Sequence, residues 1–360
     1  MKRGPAMKRR RRGARGAAAA ALALTMVTAC SSAPAGESST TAGAASTETI
    51  TTGLDAPWSV AFHGGTPLVS ERDSARILEL DTAGSSREVG SIGGTAGGGE
   101  GGLLGIAVQD GFLYSYATAG EENRIERREL TGSTGSLGLG PPEVILDGIA
   151  AGPIHNGGRI AFGPDGLLYA TAGDAGNRGS AQDTTSLSGK ILRMTADGAV
   201  PEDNPLPGSL VYSYGHRNPQ GIAWDAEGTL YSSEFGQNTW DELNVITAGG
   251  NYGWPEVEGI AGRDGFIDPV QQWEPADASP SGIAVSGESV FIANLRGEVL
   301  REVPLADPRT STEYLTGEHG RLRDVVSAPD GSLWALTNNT DGRGGPGPDD
   351  DRILRVDLGR

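Results

Sequence analysis

The sequence predicts an all-β protein, a six-bladed β-propeller, on three observations. A short apolar strand, a turn and a second strand ending on an aromatic or β-branched residue recur six times. Glycine supplies 57 of 360 residues, about twice the usual ~7%, and is spread along the chain, so turns are frequent. No convincing helical period appears.

The first copy is Trp58 to Phe62 followed by Pro67 to Val69, and the second is Leu104 to Val108 followed by Gly111 to Tyr114. Arg159 to Tyr169 and Gly221 to Tyr231 are the third and fourth; their Pro-Asp-Gly and Ala-Glu-Gly centres are tight hairpin turns. Gly282 to Phe291 is the fifth, and Asp324 to Trp334, again turning on Pro-Asp-Gly, is the sixth. Third strands follow several copies, at Arg76 to Leu80, Lys190 to Arg193, Glu298 to Arg301 and Arg352 to Val356. Four antiparallel strands make one blade, and the strand near Thr49 to Thr52 is expected to complete the last blade and close the ring. A barrel or a sandwich would not produce six repeats.

The first thirty residues stand apart in composition. Lys8 to Arg12 with Arg15 form a positive region, Ala17 to Ala29 an apolar region too short to span a membrane, and Cys30 follows Val27-Thr28-Ala29. Residues 1–29 are therefore expected to be a lipoprotein signal peptide, with Cys30 the lipidated residue that anchors the chain to the outer side of a bacterial cell membrane. Residues 30–47, rich in Ser, Thr, Ala and Gly, are expected to be a flexible tether, and 48–360 the catalytic propeller.

Of the 29 basic residues, 8 fall in the first thirty, so 21 remain against 46 acids and the rest of the chain carries −25. A surface so acidic argues against nucleic acid as a partner. An arginine cluster within it points instead to a local polyanion.

Strand alternation places the loops entering each first strand on the same face as the loops leaving each second strand. The entering loops carry Glu100, His155, His216, Arg217, Asn218, Arg321 and Arg323; the leaving loops carry Glu71, Arg72, Asp174, Glu234 and Arg296. One central funnel should collect them. Guanidinium forks from several blades suit carboxylates, and an imidazole beside them suits proton transfer near neutral pH. His216 is as suited to bracing its loop as to touching a ligand, Asp174 reads first as a turn-former, and the Asp349 to Asp351 run reads as a solvated loop.

At these residues the sequence resembles the PQQ-dependent (pyrroloquinoline quinone) glucose/sorbosone dehydrogenase family, from about Glu48 to Leu358. The resemblance is carried by Gly101 to Ala107, His155 to Gly166, Thr171 to Asp174, Tyr214 to Gly221, Ser233 to Gly236 with Asp241 to Asn244, Gly249 to Pro255, and Arg321 to Val326. It implies a PQQ- and calcium-dependent oxidoreductase that oxidises a hydroxyl of an aldose or related sugar alcohol and passes electrons to a quinone or other acceptor. His155 matches the general base, and Arg217 the group that stabilises charge on the cofactor, with Asn218 beside it. Arg296, Arg321, Arg323 and Glu100 match cofactor contacts. For calcium, the carbonyls of Gly236 and Gln237 match the cofactor-side ligands, and Glu242 with the carbonyl of Tyr252 a second site.

Ile154, Ala175 and Gln237 depart from the pattern of soluble glucose dehydrogenase, which bears on the choice of sugar. Two other readings stay open at this point: a non-catalytic cell-surface binding propeller, and a calcium-dependent sugar lactonase, which would need more carboxylates and fewer arginines at the rim.

Overall fold

The computed structural model describes residues 39–360, so the signal peptide, Cys30 and the start of the expected tether lie outside the described residues. Apart from one 3-10 turn at Arg178–Ala181, the regular structure described is strand, arranged in six sheets. The innermost strands, in chain order, are Pro57–His63, Leu103–Gln109, Ile160–Phe162, Pro219–Trp224, Pro280–Ser286 and Leu322–Ser327. Each pairs antiparallel with its successor and begins a meander of four strands, which is the predicted propeller.

Closure falls where the sequence places it. Ser46–Thr51 pairs antiparallel with Ile353–Asp357, so the last blade takes its outer strand from the beginning of the domain and its inner three from the end. Ser39–Ala42 then adds a fifth, parallel strand to the fifth blade, pairing Ser39 with Thr310 and Ala42 with Glu313. Strand structure therefore reaches back into the expected tether. The segment needs no apolar burial there, because the exposed edge of Thr310–Tyr314 offers unpaired backbone groups.

The core is divided among the six blade interfaces. One cluster joins the first and second blades (Leu68 and Ile77 with Leu103 and Leu113), and another the sixth and first (Leu54 and Val69 with Trp334 and Ile353). The remaining four interfaces each hold a comparable cluster. The repeat's aromatic lies near the start of the second strand, which runs on past it, and packs edge-on against the end of a neighbouring blade's inner strand: Tyr114 on Phe162 at 5.0 Å, Tyr169 on Trp224 at 5.0 Å and Trp334 on Phe62 at 5.4 Å. This explains why those repeat positions are large and flat.

Near their starts, the inner strands of five blades lose register with their partners, as between Pro57 and Ser59 or Leu322 and Asp324. Such bulges re-aim side chains, and these occur at the end where the candidate residues collect. The Asp349 to Asp351 run departs from the solvated loop expected of it. Asp351 is fully buried and accepts from Thr337 Oγ1 at 2.9 Å, Asn339 N at 2.6 Å and Thr340 Oγ1 at 2.5 Å. With a fourth from Thr340 N at 3.0 Å, these hydrogen bonds offset the cost of burying its charge.

Candidate active site

His155 leads out of the second blade into the third on a left-handed backbone (φ 58), strained for any residue with a Cβ. Its N–H donates to Glu100 Oε2 at 2.8 Å, and its carbonyl packs so closely on Gly173 that a Cβ at that position would collide with it. The ring is fixed as firmly as the backbone. Nδ1 meets Asp174 Oδ1 at 2.7 Å, and Asp174, with no exposed surface, also accepts from Gly176 N at 2.7 Å and Trp254 Nε1 at 2.8 Å. Burial would raise the Asp174 carboxyl, but these hydrogen bonds, that of His155 foremost, hold it below the usual carboxylate range. A charged acceptor at Nδ1 keeps the proton on that nitrogen and leaves the lone pair on Nε2, which is the state of a general base.

Arg217 lies beside this pair. Its carbonyl accepts from Asp174 N at 2.8 Å, its own N–H donates to Glu234 Oε1, and its guanidinium sits 5.5 Å from the Trp254 ring. Its buried Nε has no partner among the described residues, and burial lowers its affinity for its proton. Asn218 is completely buried; Oδ1 accepts from Gly157 N at 3.0 Å, and Nδ2 faces Glu100 Oε2 at 3.5 Å. His155, Glu100, Arg217 and Asn218 thus form one connected group.

A second group adjoins it through Glu100. Trp58, Arg72, Glu100, Gln220, Phe235, Arg323 and Arg343 line one narrow axial space. Arg323 donates to Asn338 Oδ1 at 2.9 Å and Gln220 Oε1 at 2.9 Å, while Arg321 pairs with Asp341 at 3.0 Å. Arg72 is paired with Asp73 at 2.7 Å, as its sequence neighbourhood suggests. Burial, only partly offset by Asp341, together with repulsion from Arg321 and Arg72, pushes Arg323 down to about 9. Cations crowded beyond their acids favour an added anion, and the buried, unpartnered Nε of Arg321 is a donor in want of one. Beneath Trp58, Arg159 reaches Asp324 at 2.9 Å and stacks 4.2 Å from the indole, fixing the floor.

The four residues matched to calcium collect in a third place. Gly236, Glu242 and Tyr252 line a small cavity with Arg217, Glu234 and Glu258, and Gln237 N donates to Glu258 Oε1 at 2.6 Å. Burial, followed by repulsion from Glu234, pushes Glu242 up to about 8. Asp241, accepting from Gly236 N at 2.8 Å, is raised by burial to about 6. Among the described residues no three His, Cys, Asp or Glu side chains form a metal-binding group. A cation here would therefore take backbone carbonyls alongside Glu242, a donor set of hard oxygens.

Two further rim residues lie outside the arginine pocket. Arg296 does not join Arg321 and Arg323; it is exposed in a separate groove of about 420 Å³ with Gln237, Trp240 and Glu274. His216 braces its loop, held between Glu234 at 2.8 Å and Ser213 Oγ at 2.8 Å and stacked on Tyr252. Sequence reasoning missed the roles of Asp174, Trp254, Asp341 and Arg343. Asp174 and Trp254 stand inside quoted motifs; Arg343, within a glycine- and proline-rich loop, gave no signal.

The sequence model of the glucose/sorbosone dehydrogenase family matches residues 54–354. A PQQ-bound aldose sugar dehydrogenase from Streptomyces coelicolor is 50% identical in sequence and superposes with a TM-score of 0.83 over 87% of this chain and 98% of that one. Quinoprotein glucose dehydrogenase B from Acinetobacter calcoaceticus is 33% identical over 55% of this chain and 49% of its own length. An aldose sugar dehydrogenase from Escherichia coli is 32% identical over 52% of this chain and 58% of its own. The family match covers all six inner strands whole and every residue gathered above, so this chain belongs to the glucose/sorbosone dehydrogenase family.

Proposed function

We propose that this chain is a PQQ-dependent sugar dehydrogenase that oxidises a hydroxyl of an aldose or related sugar alcohol, with calcium at the cofactor site and a quinone or other acceptor taking the electrons. One observation carries the reading: the oriented His155–Asp174 pair shares Glu100 with an axial pocket lined by arginines. The relatives named above as PQQ-bound and as a quinoprotein support the cofactor.

The residues present fit that cofactor. PQQ is a planar tricarboxylate, and Arg72, Arg321, Arg323 and Arg343 would hold its carboxylates over Trp58, satisfying the orphaned Nε of Arg321. The cofactor-side cation would rest on the carbonyls of Gly236 and Gln237, and at the second site the raised Glu242, crowded by Glu234, fits a divalent cation that would replace its proton. Once bound, PQQ supplies a two-electron acceptor and calcium a fixed positive charge beside it.

The chain's own residues do the rest. His155 Nε2 takes the proton of the sugar hydroxyl as the C–H bond is broken, a step worth about 10²–10⁴ in rate. Asp174 holds the ring in the required tautomer and stabilises the imidazolium that results. Arg217, short of hydrogen-bond partners at Nε, places positive charge where negative charge develops.

The test is reconstitution. Purified chain, PQQ and calcium together should reduce a redox dye with at least one of a panel of aldoses, and should do nothing when PQQ is left out. Dye reduction that ignores PQQ would overturn the proposal. Export, lipidation at Cys30 and attachment to the cell membrane belong to the same proposal; mass spectrometry of the mature protein should find a diacylated Cys30 at its N-terminus.

A further inference from the structure

Resting on the PQQ reading above, we propose that Arg343 is a mobile cap for the cofactor, whose guanidinium exchanges between Glu100 and a cofactor carboxylate. Two observations meet in it: a cation poised at the mouth of the axial pocket, and a strap built to move.

The other three arginines of the cradle are tied down. Arg72 carries two hydrogen bonds to Asp73, at 2.7 and 3.0 Å, and a third to the carbonyl of Asp341. Arg323 is 4% exposed and grips Asn338 and Gln220, and Arg321 is paired with the buried Asp341. Arg343 has one side-chain partner, Glu100 Oε1 at 3.3 Å, and its side chain is 46% exposed.

Its loop matches. Residues 342–348 read Gly-Arg-Gly-Gly-Pro-Gly-Pro, and Gly342 takes a φ of 83 that favours glycine. Among the described residues, no backbone group from Gly342 to Pro346 bonds to another backbone group. Segments held so lightly open at small cost. The hinge itself is firm, because Arg343 N donates to Asp341 Oδ1 at 2.9 Å and Asp341 is the hub that holds Arg321.

Glu100 is suited to release its partner. Its second oxygen, Oε2, stays on His155 N at 2.8 Å, so the acid keeps its position when Oε1 gives up Arg343. Arg343 would thus leave one anion for another at the same mouth, and a loaded cofactor would be closed in by a fork rather than by bulk.

The experiment follows PQQ binding to the apo chain, with calcium present, by quenching of tryptophan fluorescence, and its release by stopped flow. R343A should bind about 10- to 100-fold more weakly, mostly through faster release, and R343K should fall between because a point charge lacks the fork. R309A, which removes an exposed arginine paired with Asp307 far along the chain, should behave as wild type and controls for net charge. Release from R343A as slow as from R309A overturns the cap and leaves the cofactor reading standing. A wild-type chain that does not bind PQQ overturns both. Thermal melts check that R343A folds; if it does not, R343K decides the matter.

Discussion

Replacing Asp174 by asparagine removes one charge from a buried site and changes almost no volume. The carboxylate accepts from His155 Nδ1, Gly176 N and Trp254 Nε1, all within 2.8 Å. An amide can face this ring of donors in two ways, and both fail. With its oxygen toward His155, its NH₂ meets the indole N–H, leaving buried donors unpaired at a cost of about 1–3 kcal/mol. With its NH₂ toward His155, it donates to Nδ1, moves the imidazole proton to Nε2 and abolishes the base. Turnover should therefore fall by about 10²- to 10⁴-fold, the worth of a general base. Steady-state dye reduction by the PQQ-loaded variant measures this. A parallel PQQ titration should be unchanged, because Asp174 does not line the arginine pocket. The acid arm of the pH dependence has a definite sign as well. Asp174 is held below its ordinary 3.8, so its contribution to stability is complete above that value and is lost as pH falls through the lower folded value. D174N turning over within threefold of wild type would refute the tautomer reasoning.

The double variant R321A/R323A should lose PQQ binding by at least about 100-fold, read by fluorescence titration, since each change removes a charge-assisted contact. Glu242 is raised in the folded chain from 4.5 to about 8, so its stability contribution is full below 4.5 and is lost as pH rises through 8. Calcium should restore it: melting temperature at pH 8 should rise by roughly 5–10 °C at a thousandfold excess over Kd, and E242Q should show no such rise. A chain begun at residue 44 keeps the closing strand and should melt within a few degrees of one begun at 39. A chain begun at 53 loses Ser46–Thr51, opens the last blade and should melt far lower, as calorimetry would show.

The repeat was legible because each blade repeats one physical demand: an inner strand buried on both sides, a tight turn, then a flat side chain for the neighbouring blade. Tyr114, Tyr169, Tyr231, Phe291 and Trp334 announce it. The face was legible too, since alternation alone brings Glu100, His155, Arg217 and Arg323 together. Asp174 was harder: aspartate after glycine is an ordinary turn residue, and its other duty depends on Trp254 arriving 80 positions later. Arg343 was hidden by composition, because a loop of glycine and proline carries no sign of what it overhangs. Arg296 stands in an equivalent loop yet lines another groove, a difference that position in the repeat does not reveal. Ser39–Ala42 could not be read at all, for its pairing rests on backbone groups that any sequence possesses.

The most direct measurement is a single-turnover absorbance trace of chain loaded with one equivalent of PQQ and mixed with an aldose, recorded for wild type and H155A. Wild type should bleach the quinone band in one exponential phase, and H155A should bind the cofactor equally well yet bleach it at least about 100-fold more slowly. Equal rates for the two proteins would contradict the assignment of His155, and a band untouched by every sugar tried would contradict the dehydrogenase itself.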